Sequence, residues 1–342
     1  MATLAGRLLI DGIDAYNNYG IFVKDGGLNG LIAMPSFKAI DTYDWHEENG
    51  VDADLTAPVL DGRQFQMTFW ITDRAWAEDL FADLSNGAYH EFYFPRLQRT
   101  YTLRLVSNGT FTNQPGTRYS QVTLTFAEDD PSLPTMPVDM PLPYGASGVS
   151  QNGYEIDGAD LSQFGMWVTK GTDQTIYKAA NVKDNLKVNL KQRQGIIYDP
   201  QDVRFNARDI TLHLHLKTAT AAEFWSKWDA LFATLMQPDE RVFFFNTIGT
   251  YYNCYYKSCS VSKFIIDDSI VWCDFSVVLT CLSYTAETEW LYLITEDGQY
   301  VITEDGARIR IRPRTGLALL ITQDGQFVTT EDGNYLLCIN NS

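Results

Sequence analysis

The chain has 342 residues, 45% of them hydrophobic and 13% aromatic, with 26 basic against 43 acidic side chains and a net charge of −17. This composition supports packed cores and excludes a disordered polymer, while the acidic balance excludes a sequence-specific DNA binder, whose affinity needs clustered Lys and Arg. No apolar run of about 18 residues is present to span a membrane, so no membrane insertion is expected, and a start interrupted by Asp11 predicts no secretory leader.

Residues 8–24 read as a strand, an Asp11-Gly12 turn and a second strand. Phe65, Met67 and Phe69 alternate with polar neighbours, as a half-buried strand requires. The period then changes: Trp76, Leu80, Phe81 and Leu84 fall at helical spacing, between a capping Asp73 and Asn86-Gly87. Strands are predicted again at Glu91–Phe94, Tyr101–Val106 and Gln121–Phe126. Residues 131–143 hold five prolines, which predicts an extended, semi-rigid linker that fixes a distance between two bodies.

The same order follows the linker. Leu212, Leu214 and Leu216 alternate with His213 and His215. Thr220 and Glu223 form a capping-box pattern, and Phe224, Trp228, Leu231, Phe232 and Leu235 make one apolar stripe that ends before Pro238. Strands are predicted at Val242–Phe245, Tyr251–Tyr256 and Trp272–Thr280.

The correspondence is one of apolar pattern and turn residues at an offset of about 145 residues. Ile10-Asp11-Gly12-Ile13-Asp14 recurs as Ile156-Asp157-Gly158-Ala159-Asp160, Tyr19-Gly20-Ile21 as Phe164-Gly165-Met166, and residues 62–69 as 207–214. The sequence therefore predicts a tandem copy of one mainly β domain with one α-helix, a β-sandwich or barrel, at 1–130 and 151–286, with a linker at 131–150. Residues 287–342 follow another pattern. Ile294-Thr295-Glu296-Asp297-Gly298 recurs at 302–306, and related units follow at 321–325 and 329–333, which predicts a small module of Asp-Gly hairpins.

Candidate chemistry is sparse. His213 and His215 share a strand face without an evident third ligand, and the repeated Asp11, Asp14, Asp157 and Asp160 suit turns better than an acid–base pair. Five cysteines, all after residue 253 and without a CxxC, suit reduced buried thiols rather than a disulfide framework or a zinc site. No nucleophile motif, phosphate loop or metalloprotease helix is present, so neither catalysis nor a cofactor is expected. Charge is uneven: 9 basic and 19 acidic residues in 1–140 (−10), 13 and 15 in 141–286 (−2), 4 and 9 in 287–342 (−5). Asp52, Asp54, Glu128, Asp129 and Asp130 are the candidates for an acidic channel wall that repels passing DNA. Arg308, Arg310, Arg312 and Arg314 alternate along one strand and are the candidate partner contact, with a solvated edge as the bland reading.

The opening of each copy, Ile10–Asp14 through Ile21 and Ile156–Asp160 through Met166, with one helix among aromatic-rich strands, resembles the phage distal tail (Dit-like) family. The resemblance implies a tail-tube-like fold and a virion structural role. It implies a ring, a hexamer or a trimer of two-domain chains, that joins the tail tube to the host-recognition apparatus and lets DNA pass. Its partners would be other copies and neighbouring tube, hub or receptor-binding proteins. A non-catalytic carbohydrate-binding or adhesive β protein is the alternative.

Overall fold

The computed structural model describes residues 4–72, 74–113, 119–134, 148–184, 187–198, 203–247, 249–267 and 269–283, with short segments at 291–292, 310–311, 318–321 and 337–338. In chain order the first half contains β1 (Leu9–Ile10), β2 (Ile13–Asp14), α1 (Ala15–Tyr19), β3 (Ile21–Val23), α2 (Asn29–Ile32), β4 (Thr42–Tyr43), β5 (Asp52–Ala53), β6 (Arg63–Ile71), α3 (Arg74–Leu84), β7 (Tyr89–Phe94), β8 (Arg99–Asn113) and β9 (Ser120–Glu128). The second half contains β10 (Tyr154–Ile156), β11 (Ala159–Asp160), a 3-10 turn (Leu161–Phe164), β12 (Met166–Val168), α4 (Thr172–Tyr177), β13 (Lys187–Val188), β14 (Ile197–Tyr198), β15 (Arg208–Thr218), α5 (Ala221–Leu235), β16 (Arg241–Phe245), β17 (Thr250–Asp267) and β18 (Ile270–Cys281).

Each half builds one seven-stranded antiparallel sheet, ordered β2-β1-β7-β8-β9-β6-β3 and β11-β10-β16-β17-β18-β15-β12. Strand for strand, the two orders are the same. The edge strands β2 and β3 are joined only by α1, and a five-residue helix spans under about 10 Å. The sheet must therefore curl until its edges nearly meet, and the same holds for β11 and β12 across the 3-10 turn.

The repeated residues explain why the halves match. Asp11 and Asp157 both adopt a positive φ, at 51° and 50°. Each carboxylate then accepts the amide of the adjoining strand, Glu91 N at 2.8 Å and Val242 N at 2.9 Å. Arg63 donates to the carbonyls of Leu31 and Ala33, and Arg208 to those of Ile176 and Lys178, at the same spacing. The predicted strand over 15–19 is a short helix instead. The reason is local: Asp14 caps it by accepting from Asn17 N at 2.7 Å, and Gly20 ends it at φ +63°.

Alternation places Phe65, Met67, Phe69 and Ile71 of β6 inside, with Ile210, Leu212, Leu214 and Leu216 as their counterparts on β15. On α5 the whole predicted stripe, Phe224, Trp228, Leu231, Phe232 and Leu235, is buried. Thr220 caps α5 through Glu223 N as expected, but Glu223 answers to Ala219 N, one residue before the cap. On α3, Leu80 and Leu84 are buried and Phe81 is half-buried; Asp73 and the side chain of Trp76 lie outside the described residues. Strands β8 and β17 run well past the predicted ends, each through register shifts.

Residues 1–286 form one compact unit, and buried side chains of both halves join a single core. The halves are packed directly on one another; residues 135–147 of the predicted linker lie outside the described residues. Residues 287–342 form a unit by themselves, with β19 (Leu291–Tyr292), β20 (Arg310–Ile311), β21 (Ala318–Ile321) and β22 (Leu337–Cys338) paired in that order. The predicted Asp-Gly turns lie outside the described residues.

Candidate functional site

Each half sends out an arm between its second helix and its long strand. In the first half, residues 37–60 form it: an isolated bridge Phe37↔Leu60 closes the base, and β4 pairs with β5 further out. In the second half, residues 182–205 repeat the plan, with Val182↔Phe205 at the base and β13 paired with β14.

The first arm is seated on the second half. Gly50 N donates to Phe205 O at 2.7 Å, and Val51 N to Leu282 O at 2.9 Å. Phe205 N donates to Asn49 Oδ1 at 2.9 Å, and Asp239 N to Leu55 O at 2.9 Å. Lys183 donates to Trp45 O at 2.7 Å and pairs with Asp44, and Arg204 donates to Glu47 O. The Lys183 side chain is only 2% exposed, so its ammonium depends on these arm oxygens to replace water. Gly50 has φ +78°, and a Cβ there would lie 1.6 Å from Leu282 O. Glycine is the residue that allows this approach.

Behind the arm the halves share further contacts. Tyr256 donates its hydroxyl to Met34 O at 3.1 Å and meets Phe37 edge to face. Trp225 of α5 donates to Leu97 O at 2.6 Å, and the Arg99 guanidinium lies 3.7 Å from its ring centroid while pairing with Asp229. A cavity of about 370 Å³ opens between the first half, at Tyr16, Ile21 and Lys24, and β17, at Phe264 and Ile266.

The predicted acidic set is scattered. Asp52 is exposed on β5 and accepts from Trp45 Nε1 at 3.1 Å. Asp54 is exposed, and hydrogen bonds from the Thr56 hydroxyl and amide hold its carboxyl below the ordinary value. Glu128 departs from the expectation of a channel-facing carboxylate. It ends β9 with its last residues turned into the core, is 6% exposed, and pairs with Arg63 Nε at 2.6 Å. Asp129 is exposed and held by Arg104 and Tyr89, which lower its carboxyl. Asp130 is exposed beside it. Arg310 lies on β20; its side chain, and Arg308, Arg312 and Arg314, fall outside the described residues.

His213 and His215 point away from the core, one bonded to Ser276 Oγ at 2.9 Å and the other to Asp274 at 2.6 Å. Among the described residues no His, Cys, Asp and Glu group could hold a metal ion. Cys254, Cys273 and Cys281 are buried, and burial pushes their thiols up, that of Cys281 to about 12. They suit packing rather than reactivity. No helix among the described residues is long and apolar enough to cross a membrane.

What the site offers is therefore contact between equivalent modules. Sequence reasoning missed the arms, although their signal was present: Asn49-Gly50-Val51 recurs as Gln194-Gly195-Ile196 at the repeat offset. Neither a family model nor a curated protein matches the chain. Among solved structures, the chain is similar to SPP1 Dit (gp 19.1), described as a paradigm of the hub adsorption apparatus in Gram-positive infecting phages. That likeness has 11% identity and a TM-score of 0.27, and it covers 80% of this chain and 97% of that one.

Proposed function

We propose that this chain is a structural subunit of a phage tail tip or baseplate, of the distal-tail type. Its copies close a ring that joins the tail tube to the host-recognition apparatus and lets DNA pass. The observation that carries this reading is the pair of halves with one strand order and one arm each, the first arm already seated on the second half. A chain whose own halves meet as neighbouring subunits would meet is suited to closed assembly. The residues that lock the contact are turn, packing and ion-pair residues, in keeping with assembly rather than chemistry. The exposed carboxylates Asp52 and Asp54 remain the candidates for a lumen that repels phosphate, and the arginines at 308–314 for a neighbouring tail or receptor-binding protein.

Negative-stain electron microscopy of the purified full-length chain tests the proposal. Rings with an open centre are expected. A chain that stays monomeric at about 100 µM, at which even a micromolar contact is saturated, would refute it. The alternative, a carbohydrate-binding β protein, is favoured by the exposed rings of Tyr43 and Trp45 on the first arm. Glycan-array binding without ring formation would select it.

A further inference from the structure

The two arms are equivalent in sequence position and topology but not in surroundings. The first arm is covered at Asn49, Gly50 and Val51, whereas every described residue from 187 to 197 on the second arm is exposed. Gly195 repeats the positive φ of Gly50, at +82°, yet nothing lies within 4 Å of the position a Cβ would take. Ile196, the counterpart of Val51, is 58% exposed, and Val188, Leu190 and Ile197 beside it are exposed as well. Upstream, Ile32 is buried and Phe37 half-buried where the first half packs on the second, while their counterparts Tyr177 and Val182 are exposed.

The receiving surface shows the opposite imbalance. On the second half it is built from Lys183, Arg204, Phe205 and Leu282, and the first arm fills it. The offset of 145 maps the first three onto Lys38, Val59 and Leu60. Strand register maps Leu282 onto Asp129, because Arg208 pairs with Cys281 and Arg63 with Glu128. Those counterparts line an open groove of about 520 Å³, with Asp61, Asp130 and Leu133 at its rim. Lys38 is exposed there, although its counterpart Lys183 is buried beneath the first arm.

We infer that the second arm of one copy fills the groove of the first half of the next copy, head to tail, in the way the first arm fills the second half within the chain. The occupant is a second copy of this chain. In the docked state Gly195 N donates to Leu60 O and Ile196 N to Asp129 O, by analogy with Gly50 and Val51. Charge supports the pairing. Residues 41–54 carry six acids and no Lys or Arg; Asp44 among them pairs with Lys183, and Arg204 donates to the backbone carbonyl of Glu47. Residues 186–199 carry three bases and one acid, and they would meet Asp61, Asp129 and Asp130. Because each copy offers one arm and one groove, the contact is heterologous: it closes into a ring where the rotation between copies allows and otherwise runs on as a filament. The inference rests on the ring reading and adds the contact that builds the ring.

The test uses the full chain. Ile196→Cys and Asp130→Cys are placed in separate preparations, which are then mixed under mild oxidation, with peptide mass spectrometry to locate the links. A covalent dimer joining positions 196 and 130 is expected only in the mixture. In sedimentation, Lys191→Glu with Arg193→Glu should weaken association by about tenfold, an energy of roughly 1.4 kcal/mol. Asp61→Lys with Asp130→Lys should do the same, and the two pairs mixed should restore most of it. Rings formed by the wild-type chain, with no 196–130 link in the cysteine mixture and no loss of association in either charge-reversed variant, would overturn this inference and leave the ring reading standing. A wild-type chain that never associates would overturn both. A link from position 196 to Cys338 would make the C-terminal segment the occupant and would also overturn it.

Discussion

Gly50→Ala compared with Gly195→Ala measures what the seated arm contributes. Both glycines hold a positive φ, +78° and +82°, so each substitution carries the left-handed penalty of roughly 1–2 kcal/mol. Only at Gly50 does the new methyl meet anything, with Leu282 O 1.6 Å from the Cβ position. A backbone carbonyl cannot move aside as a flexible side chain does, so the arm must lift. Lifting it breaks the bonds from Gly50 N, Val51 N and Phe205 N, each worth about 0.5–1.5 kcal/mol net. It also strands the buried Lys183 ammonium. The expected loss for Gly50→Ala is about 3–5 kcal/mol, and for Gly195→Ala about 1–2 kcal/mol. Urea unfolding of dilute, unassociated protein gives both values from the midpoint shifts at constant slope. Equal shifts for the two variants would refute the claim that the first arm is fastened through this glycine.

Trp228→Ala or Phe232→Ala should each destabilise the 1–286 unit by about 3–5 kcal/mol, because both side chains are almost fully buried on α5; unchanged urea midpoints would show otherwise. Trp225→Phe should cost about 1–2 kcal/mol, as it leaves Leu97 O without its donor and weakens the stacking of Arg99. An equal loss in a variant already lacking Arg99 would exclude the coupling. For acid sensitivity, burial tends to raise the Asp274 carboxyl, but hydrogen bonds from Trp272 and His215 outweigh it and lower it below 3.8. Arg104 and Tyr89 likewise lower Asp129. A depressed carboxyl contributes stability that is present above its unfolded value and is lost as pH falls through the folded one. Melting temperatures should therefore drop below pH 3.8, less steeply in Asp274→Asn; identical slopes for variant and wild type would remove Asp274 from the cause.

Much of the fold could be read from residue order because the repeat doubles every signal. Alternation on β6 and β15, the α5 stripe and the Asp-Gly openings each occur where one face is buried and the other wet. The helix at 15–19 was hidden because its five residues are too few for a periodic pattern, and only Asp14 and Gly20 mark its ends. The long reach of β17 was hidden for another reason. Past Tyr256 its strand alternates less regularly, through register shifts, and much of it lies against segments distant in sequence. The arms were least legible. Thr42–Tyr43 and Lys187–Val188 form two-residue strands with no buried face of their own, so what places the first arm is the partner surface rather than local propensity.

Net charge alone does not fix position, and this yields a last prediction. The excess acid of residues 1–140 first suggests a lumen, but Glu128 is neutralised inside by Arg63, and Asp44 and the Glu47 carbonyl are taken by the second half. Of the other candidate carboxylates, Asp52 and Asp54 fall on the arm, and Asp129 and Asp130 at the groove beside Asp61. The two placements respond to salt with opposite sign. Acids ringed around a channel repel one another across subunits, so screening them would strengthen assembly. Acids in the groove attract the basic second arm, so screening them weakens assembly. The Debye length shrinks from about 14 Å to about 4 Å between 0.05 and 0.5 M salt, enough to separate the cases. Sedimentation across that range should show association falling with salt. In Lys191→Glu with Arg193→Glu, where groove and arm repel, the dependence should reverse. Association that rises with salt in the wild-type chain would return these carboxylates to a channel wall and remove them from the contact between copies.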